Sequence, residues 1–313
     1  MKNLKKLLCG ALSLTMILAL AACGSSSGGD HDDTGASGGD APIIGISQYG
    51  QHGSLDNCRE GFLQGLKEAG LEEGKDYQID YQNASFDDNM AIQIAQAFSA
   101  EDAALMVGIA TPSATACYAA AEDKDIPVVF TAITDPVGAK LDSGNITGTS
   151  DVLPVEGQLE LIRALQPEAK TIGILYTIGE TNSQVQLKQY QEAAAEYGFK
   201  IVEKGVSTGA DIALALPVLL PQVDCLSMLT DNTVVQYLDV VLDESAEAGK
   251  PVFGSEGEQV TLGCVAAVGL DYVQLGYDTG LLAARVLDSF EQAWGGEARR
   301  RLTAFAAENF DRA

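Results

Sequence analysis

Hydroxyl and carboxylate side chains crowd the ends of apolar runs in this chain. The densest group follows Val128, Val129 and Phe130 and comprises Thr131, Thr134, Asp135, Thr147, Thr149, Ser150 and Asp151. Gln48 and Tyr49 follow the apolar run 43–46, Thr111 and Ser113 follow 105–109, and Tyr176 closes 171–176. Asp231 and Asn232 follow 223–229, and Asp271 follows 264–268. Hydroxyls, together with free backbone N–H groups at helix starts, suit a carboxylate or another small anion. Asp151, Asp231 and Asp271 offer charge to an ammonium group. The simplest chemistry for the set is a site for an α-amino acid, with Tyr49 and Tyr176 placed to stack on an aromatic side chain. Each residue also has a plainer use. Thr111, Ser113, Asn232 and Asp271 suit helix caps, Asp135 before Pro136 suits a turn, and the two tyrosines suit ordinary strand ends.

Other chemistry is poorly provided for. Of the two histidines, His31 falls in a Gly/Ser/Asp-rich stretch, so a Ser-His-Asp or Cys-His hydrolase would have to use His52. There is no nucleophile elbow and no phosphate-cradling glycine loop. No His/Cys cluster has zinc spacing. Neither a cofactor nor a metal is expected, nor enzymatic activity. Cys58, Cys117, Cys225 and Cys264 sit singly in apolar patterns and suit buried free thiols, with a disulfide between two of them as the alternative.

The elements that hold these residues alternate. Apolar runs at 43–46, 78–81, 105–109 and 126–130 are separated by stripes at helical spacing: Leu55, Cys58, Phe62, Leu66, then Met90, Ile94, Phe98. The alternation predicts α/β architecture with parallel sheets. It then restarts, with runs at 171–176, 201–202, 223–229, 251–253 and 264–268. Thr111-Pro112-Ser113 matches Thr230-Asp231-Asn232 in order, and 126–131 matches 250–255. Two Rossmann-like lobes joined by a hinge, with the cleft between them, account for the repeat. One continuous sheet would need about ten strands in a single layer.

Lys2, Lys5 and Lys6 precede an apolar run that ends Leu20-Ala21-Ala22-Cys23, the pattern of a lipoprotein signal. Residues 1–22 are expected to be the signal peptide. Cys23 is expected to carry lipid, and 23–41 to form a tether on the outer face of a membrane. Removal of three lysines leaves 16 basic groups against 44 acidic ones, a net charge of about −28. Such a surface disfavours nucleic acid and anionic lipid as partners.

Several strings resemble those of a known family: Gly65-Leu66-Lys67-Glu68-Ala69-Gly70, Phe130-Thr131-Ala132-Ile133-Thr134-Asp135-Pro136-Val137-Gly138-Ala139, Asn145-Ile146-Thr147-Gly148-Thr149-Ser150-Asp151 and Thr230-Asp231-Asn232-Thr233. They are similar to the tryptophan/tyrosine-type substrate-binding lipoproteins of ABC importers, over 42 to about 290. The resemblance implies a type I periplasmic binding protein, a monomer that delivers its ligand to a permease driven by an ATPase. It implies that Thr111, Ser113, Thr131 and Ala132 hold the ligand carboxylate. Asp231, with Asp151 second to it, would hold the amino group. Lobe one is expected over 42–149 plus 272–294 and lobe two over 150–271. The pattern lapses after Trp294, so 295–313 is expected to be an atypical tail, truncated or shifted in frame. The ligand-binding part of a sensor is the other reading of the same fold.

Overall fold

The computed structural model describes residues 41–289. Two five-stranded parallel sheets form successive lobes. In the first, β1 (Ile43–Gln48), β2 (Gln78–Asn83), β3 (Leu105–Ile109), β4 (Val128–Ile133) and β5 (Ile146–Ser150) lie in the order β2-β1-β3-β4-β5. In the second, β6 (Thr171–Thr177), β7 (Lys200–Val206), β8 (Cys225–Ser227), β9 (Val252–Glu256) and β10 (Ala267–Leu270) lie in the order β7-β6-β8-β9-β10. The two orders are the same topology used twice, which bears out the internal repeat and rules out one long sheet.

Local sequence explains the elements that flank the cleft. β3 is buried along its whole length, as expected of a central parallel strand covered on both faces. α1 (Gly53–Glu68) buries Leu55, Cys58, Phe62 and Leu66 on one stripe. α2 (Asp88–Ala100) starts where the Asp87 carboxylate accepts from the Met90 N–H at 2.9 Å. α3 (Thr111–Ala121) carries Pro112 in its first turn, where a missing N–H costs nothing. α4 (Val155–Leu165) and α5 (Thr181–Ala193) cover the second sheet together with α6 (Ile212–Leu219), α7 (Asn232–Gln236), α8 (Leu238–Glu247) and α9 (Gly257–Leu262). Cys58, Cys117, Cys225 and Cys264 are buried free thiols.

Some boundaries differ from the apolar runs. β4 begins at Val128, because Pro127 cannot donate to the ladder. The last strand is Ala267–Leu270 rather than 264–268. Cys264 and Val265 belong instead to the turn after α9, where Cys264 N–H donates to the Gln259 carbonyl.

The chain leaves the first sheet at Ser150 and returns from β10 into α10 (Tyr272–Ser289), which packs on α1 in the first lobe. That packing is very close. A Cβ added to Gly276 would stand 2.0 Å from the Cys58 carbonyl oxygen, and one on Gly61 would stand 2.0 Å from the Val273 carbonyl. The expectations for 1–22, Cys23 and 295–313 concern segments outside the described residues. Gly276→Val is expected to destabilise the protein by ~1–3 kcal/mol through overpacking. Chemical denaturation would check this, and an unchanged midpoint would contradict it.

Candidate functional site

The strand ends of both lobes converge on a narrow cavity of about 10 Å³, room for roughly one water. His52, Ser54, Leu55, Ala132 and Tyr272 come from the first lobe and its returning helix. Asn182, Thr230, Asn232, Ser255 and Gln259 come from the second, with Asp151 between them. Asn182 also lines an adjoining cavity of about 360 Å³, shared with Thr111, Asp135, Ala139 and Val185. A wider groove of about 670 Å³ between α4 and α5 contains none of the strand-end residues.

Asp151 is the central charge. It lies where the chain leaves β5, and it is buried. Its Oδ1 accepts from Thr134 Oγ1 at 2.9 Å and its Oδ2 from the Tyr272 hydroxyl at 3.0 Å. Tyr272 is the first residue of α10, so this one carboxylate ties the outgoing chain to the returning one. Burial raises its pKa to about 6, opposed by those hydrogen bonds. Glu256, at the end of β9, accepts from Ser54 Oγ across the lobes, and burial raises it to about 7. Among the described residues the ion pairs are exposed or half-exposed, and neither carboxylate takes part in one.

Opposite these charges stand bare helix starts. α1 begins after His52 with no side-chain cap for its first N–H groups, and Ser54 and Leu55 of that first turn line the cavity. Ala132 adopts a φ of +58° where the β4–β5 register shifts, and it turns its backbone out of the ladder. Ala110, before α3, has a φ of +75°. Left-handed backbone at alanine is strained, and strain of this kind collects at binding sites.

Further hydrogen bonds cross the cleft directly. Asn57 Nδ2 donates to Glu258 at 2.6 Å, Gln186 Nε2 to Thr134 Oγ1 at 3.3 Å, and His52 Nε2 lies 3.4 Å from Asn232 Oδ1. Burial lowers the His52 pKa to about 4, so the ring is neutral. Its side-chain hydrogen bond is to an asparagine rather than to a serine or cysteine nucleophile.

The residues expected to form the site divide. Asp151, Ala132 and Asn232 line the narrow cavity and Thr111 the adjoining one. Ser113 accepts from Ser47 Oγ at 3.1 Å, and Thr131 Oγ1 lies 3.2 Å from Thr149 Oγ1, so both hydroxyls serve the first lobe. Gln48 Nε2 donates to the Gly50 carbonyl and to Asp56. The Tyr49 hydroxyl donates to Asp88 at 2.9 Å. Tyr176 is half-buried in β6 against Gly205, away from the cavity.

Asp231 and Asp271 line neither cavity, and for Asp271 the plainer use, a helix cap, holds. Asp231 is buried and saturated by the protein. It accepts from Thr177 N–H and Oγ1, Ser183 Oγ and Val234 N–H, so no lone pair is left for an ammonium group. Asp271 is exposed and caps α10 through the Gln274 N–H at 3.0 Å.

Ser54, Asn182, Gln259 and Tyr272 were not legible as site residues. They sit on helices, where strand-end logic does not look. Thr230 and Ser255 were signalled by the internal repeat, since they occupy in the second lobe the positions of the strand ends in the first; Glu256 lies one residue beyond it.

A family model described as ABC transporter substrate binding protein matches residues 43–293. A tyrosine-binding protein from Clostridioides difficile (strain R20291) is 39% identical over 251 residues, covering 78% of this chain and 72% of that protein. The structure of an ABC domain in complex with L-Trp from Streptococcus pneumoniae superposes with a TM-score of 0.77 at 34% identity, covering 81% and 87% of the two chains. The ligand-free, open structure of a substrate-binding protein with adhesive properties from Clostridium difficile gives 0.60 at the same 34% identity, covering 84% and 95%. The topology is that of type I periplasmic binding proteins, as expected.

Asp151 and Glu256 have folded pKa values above their ordinary ones. Their contribution to stability is complete below about pH 4 and is lost as pH rises through about 6 and 7. The ligand-free protein is expected to melt at a higher temperature near pH 5 than near pH 8. Asp151→Asn should reduce that difference, and scanning calorimetry of both proteins at the two pH values checks it.

Proposed function

This chain belongs to the ABC transporter substrate-binding proteins, a non-enzymatic family, and we propose that it captures an aromatic α-amino acid, tryptophan or tyrosine, between its lobes. The observation that carries the reading is the zwitterionic match of the cavity. A buried carboxylate, Asp151, lines the same cavity as the uncapped first turn of α1, and no lysine or arginine lines the space. Asp151 takes the ammonium group. The α1 N–H groups and the turned backbone at Ala132 take the carboxylate. The names of the tyrosine-binding relative and of the L-Trp complex support the choice of an aromatic side chain.

The described cavity is smaller than any amino acid, so entry requires the lobes to part. Ligand then stabilises the closed arrangement by its differential contacts. The hinge runs through Ser150–Asp151 and Leu270–Tyr272, with lobe one at 42–149 plus 272–294 and lobe two at 150–271. The protein works outside the cytoplasm as a monomer and hands its ligand to a permease powered by an ATPase. Lipid at Cys23, after removal of 1–22, holds it at the membrane.

Isothermal calorimetry with tryptophan and tyrosine tests the ligand. Failure of every aromatic amino acid to bind would overturn it. Asp151→Asn is expected to weaken binding by about tenfold or more, the scale of a hydrogen bond to a charged group. Wild-type affinity should fall as pH drops below about 6, where the carboxylate takes up a proton. Cys23→Ser should move the protein from the membrane fraction to the soluble one, as seen by immunoblotting of fractionated cells. A variant that stays with the membrane would exclude the lipid anchor.

A further inference from the structure

Asn182, in the first turn of α5, stands at the junction of the two cavities and is only 6% exposed. Its amide nitrogen donates to Glu180 Oε2 at 3.1 Å and to the Thr230 carbonyl at 2.9 Å. Both partners can only accept, so the orientation of the amide is decided. Turned over, Oδ1 would face a carboxylate and a carbonyl. Oδ1 is therefore directed away from them, and it is buried without a hydrogen-bond partner in the protein. A buried acceptor left unpaired is costly and calls for an explanation.

Glu180 does the same to a second amide. Its Oε2 also accepts from Asn232 Nδ2 at 2.8 Å, which leaves Asn232 Oδ1 turned toward His52. The carboxylate is itself buried, and it holds the Asn232 and Thr233 N–H groups as well. One side chain thus sets both asparagines with their donors inward and their acceptors outward.

We propose that Asn182 Oδ1 reads a polar hydrogen on the ligand's side chain, an indole N–H or a phenol O–H, and that Glu180 is the residue that positions it. The inference rests on the amino-acid reading above. An amino acid anchored at Asp151 and at the start of α1 has its side chain left to run toward the wider cavity. Asn182 lines both spaces, and Ala139 and Val185 offer apolar wall beyond it. A phenyl ring would leave Oδ1 unpaired on closure, and sites built around a ligand hydrogen bond reject analogues that lack it.

The test is calorimetry on the full chain with L-tryptophan, L-tyrosine, L-phenylalanine and 3-benzothienylalanine, which has the shape of tryptophan without its N–H. Wild type is expected to prefer tryptophan or tyrosine over phenylalanine, and tryptophan over benzothienylalanine, by about tenfold or more. Asn182→Leu should bring these ratios toward one. Glu180→Gln should narrow them in part, because the Thr230 carbonyl is then the one of the two acceptors left to enforce the orientation of Asn182. Equal weakening for all four ligands in Asn182→Leu would overturn the inference and leave the amino-acid reading intact. Equal affinity of wild type for tryptophan and benzothienylalanine, with no preference for tyrosine over phenylalanine, would overturn it even if the variants fail to fold. No binding of any aromatic amino acid would overturn both.

Discussion

The buried carboxylate of Asp151, which no cation accompanies, sets the terms for this molecule. Asp151 stands where the chain passes from one lobe to the other, and the hydroxyl of Tyr272, at the return crossing, hydrogen-bonds to it. Removing an ionised carboxylate from water is expensive, and two hydroxyl donors offset only part of the cost. The raised pKa expresses the remainder. On the proposed reading, a ligand that brings a positive charge would relieve the penalty where the chain crosses between the lobes, and recognition and closure would act through the same atoms.

The second lobe solves the same problem differently. Asp231 and Glu180 are also buried carboxylates without cations, and burial raises both of their pKa values. Their oxygens, however, are filled by N–H, hydroxyl and amide donors from β6, α5 and α7. Satisfied networks of this kind are rigid. They hold the cleft wall of the second lobe in one geometry, while Asp151 and Glu256 remain responsive. A stiff wall and a responsive hinge suit a protein whose work is to close on a small solute.

Closure also depends on the fixed seat of α10. Glycines on α1 and α10 bring the two backbones into contact, so the returning chain is anchored in the first lobe. The hydroxyl chain Thr131–Thr149–Thr279 joins β4, β5 and α10 on the same side. The proposed hinge motion would thereby be confined to the short crossings, where the Tyr272 hydroxyl meets Asp151.

The fold class was legible because buried parallel strands and amphipathic helices leave periodic marks. Periodicity brought out β3 at Leu105–Ile109 to the residue, and the repeat of strand-end strings announced two lobes of one topology. It passed over β5, whose Thr147, Gly148 and Thr149 are half-exposed and whose Ser150 is exposed, and α6, which is apolar almost all round and contains Pro217. The strand ends placed Asp151 among the candidate acids, and the family resemblance ranked Asp231 above it. The chain by itself thus determined the architecture, the strand ends that meet and the acidic, cation-poor character of the site. Only the tertiary structure decided which carboxylate is left for a ligand. That choice turns on whether donors distant in sequence, such as Thr177 and Ser183 for Asp231, arrive to saturate it, and no local pattern records their arrival.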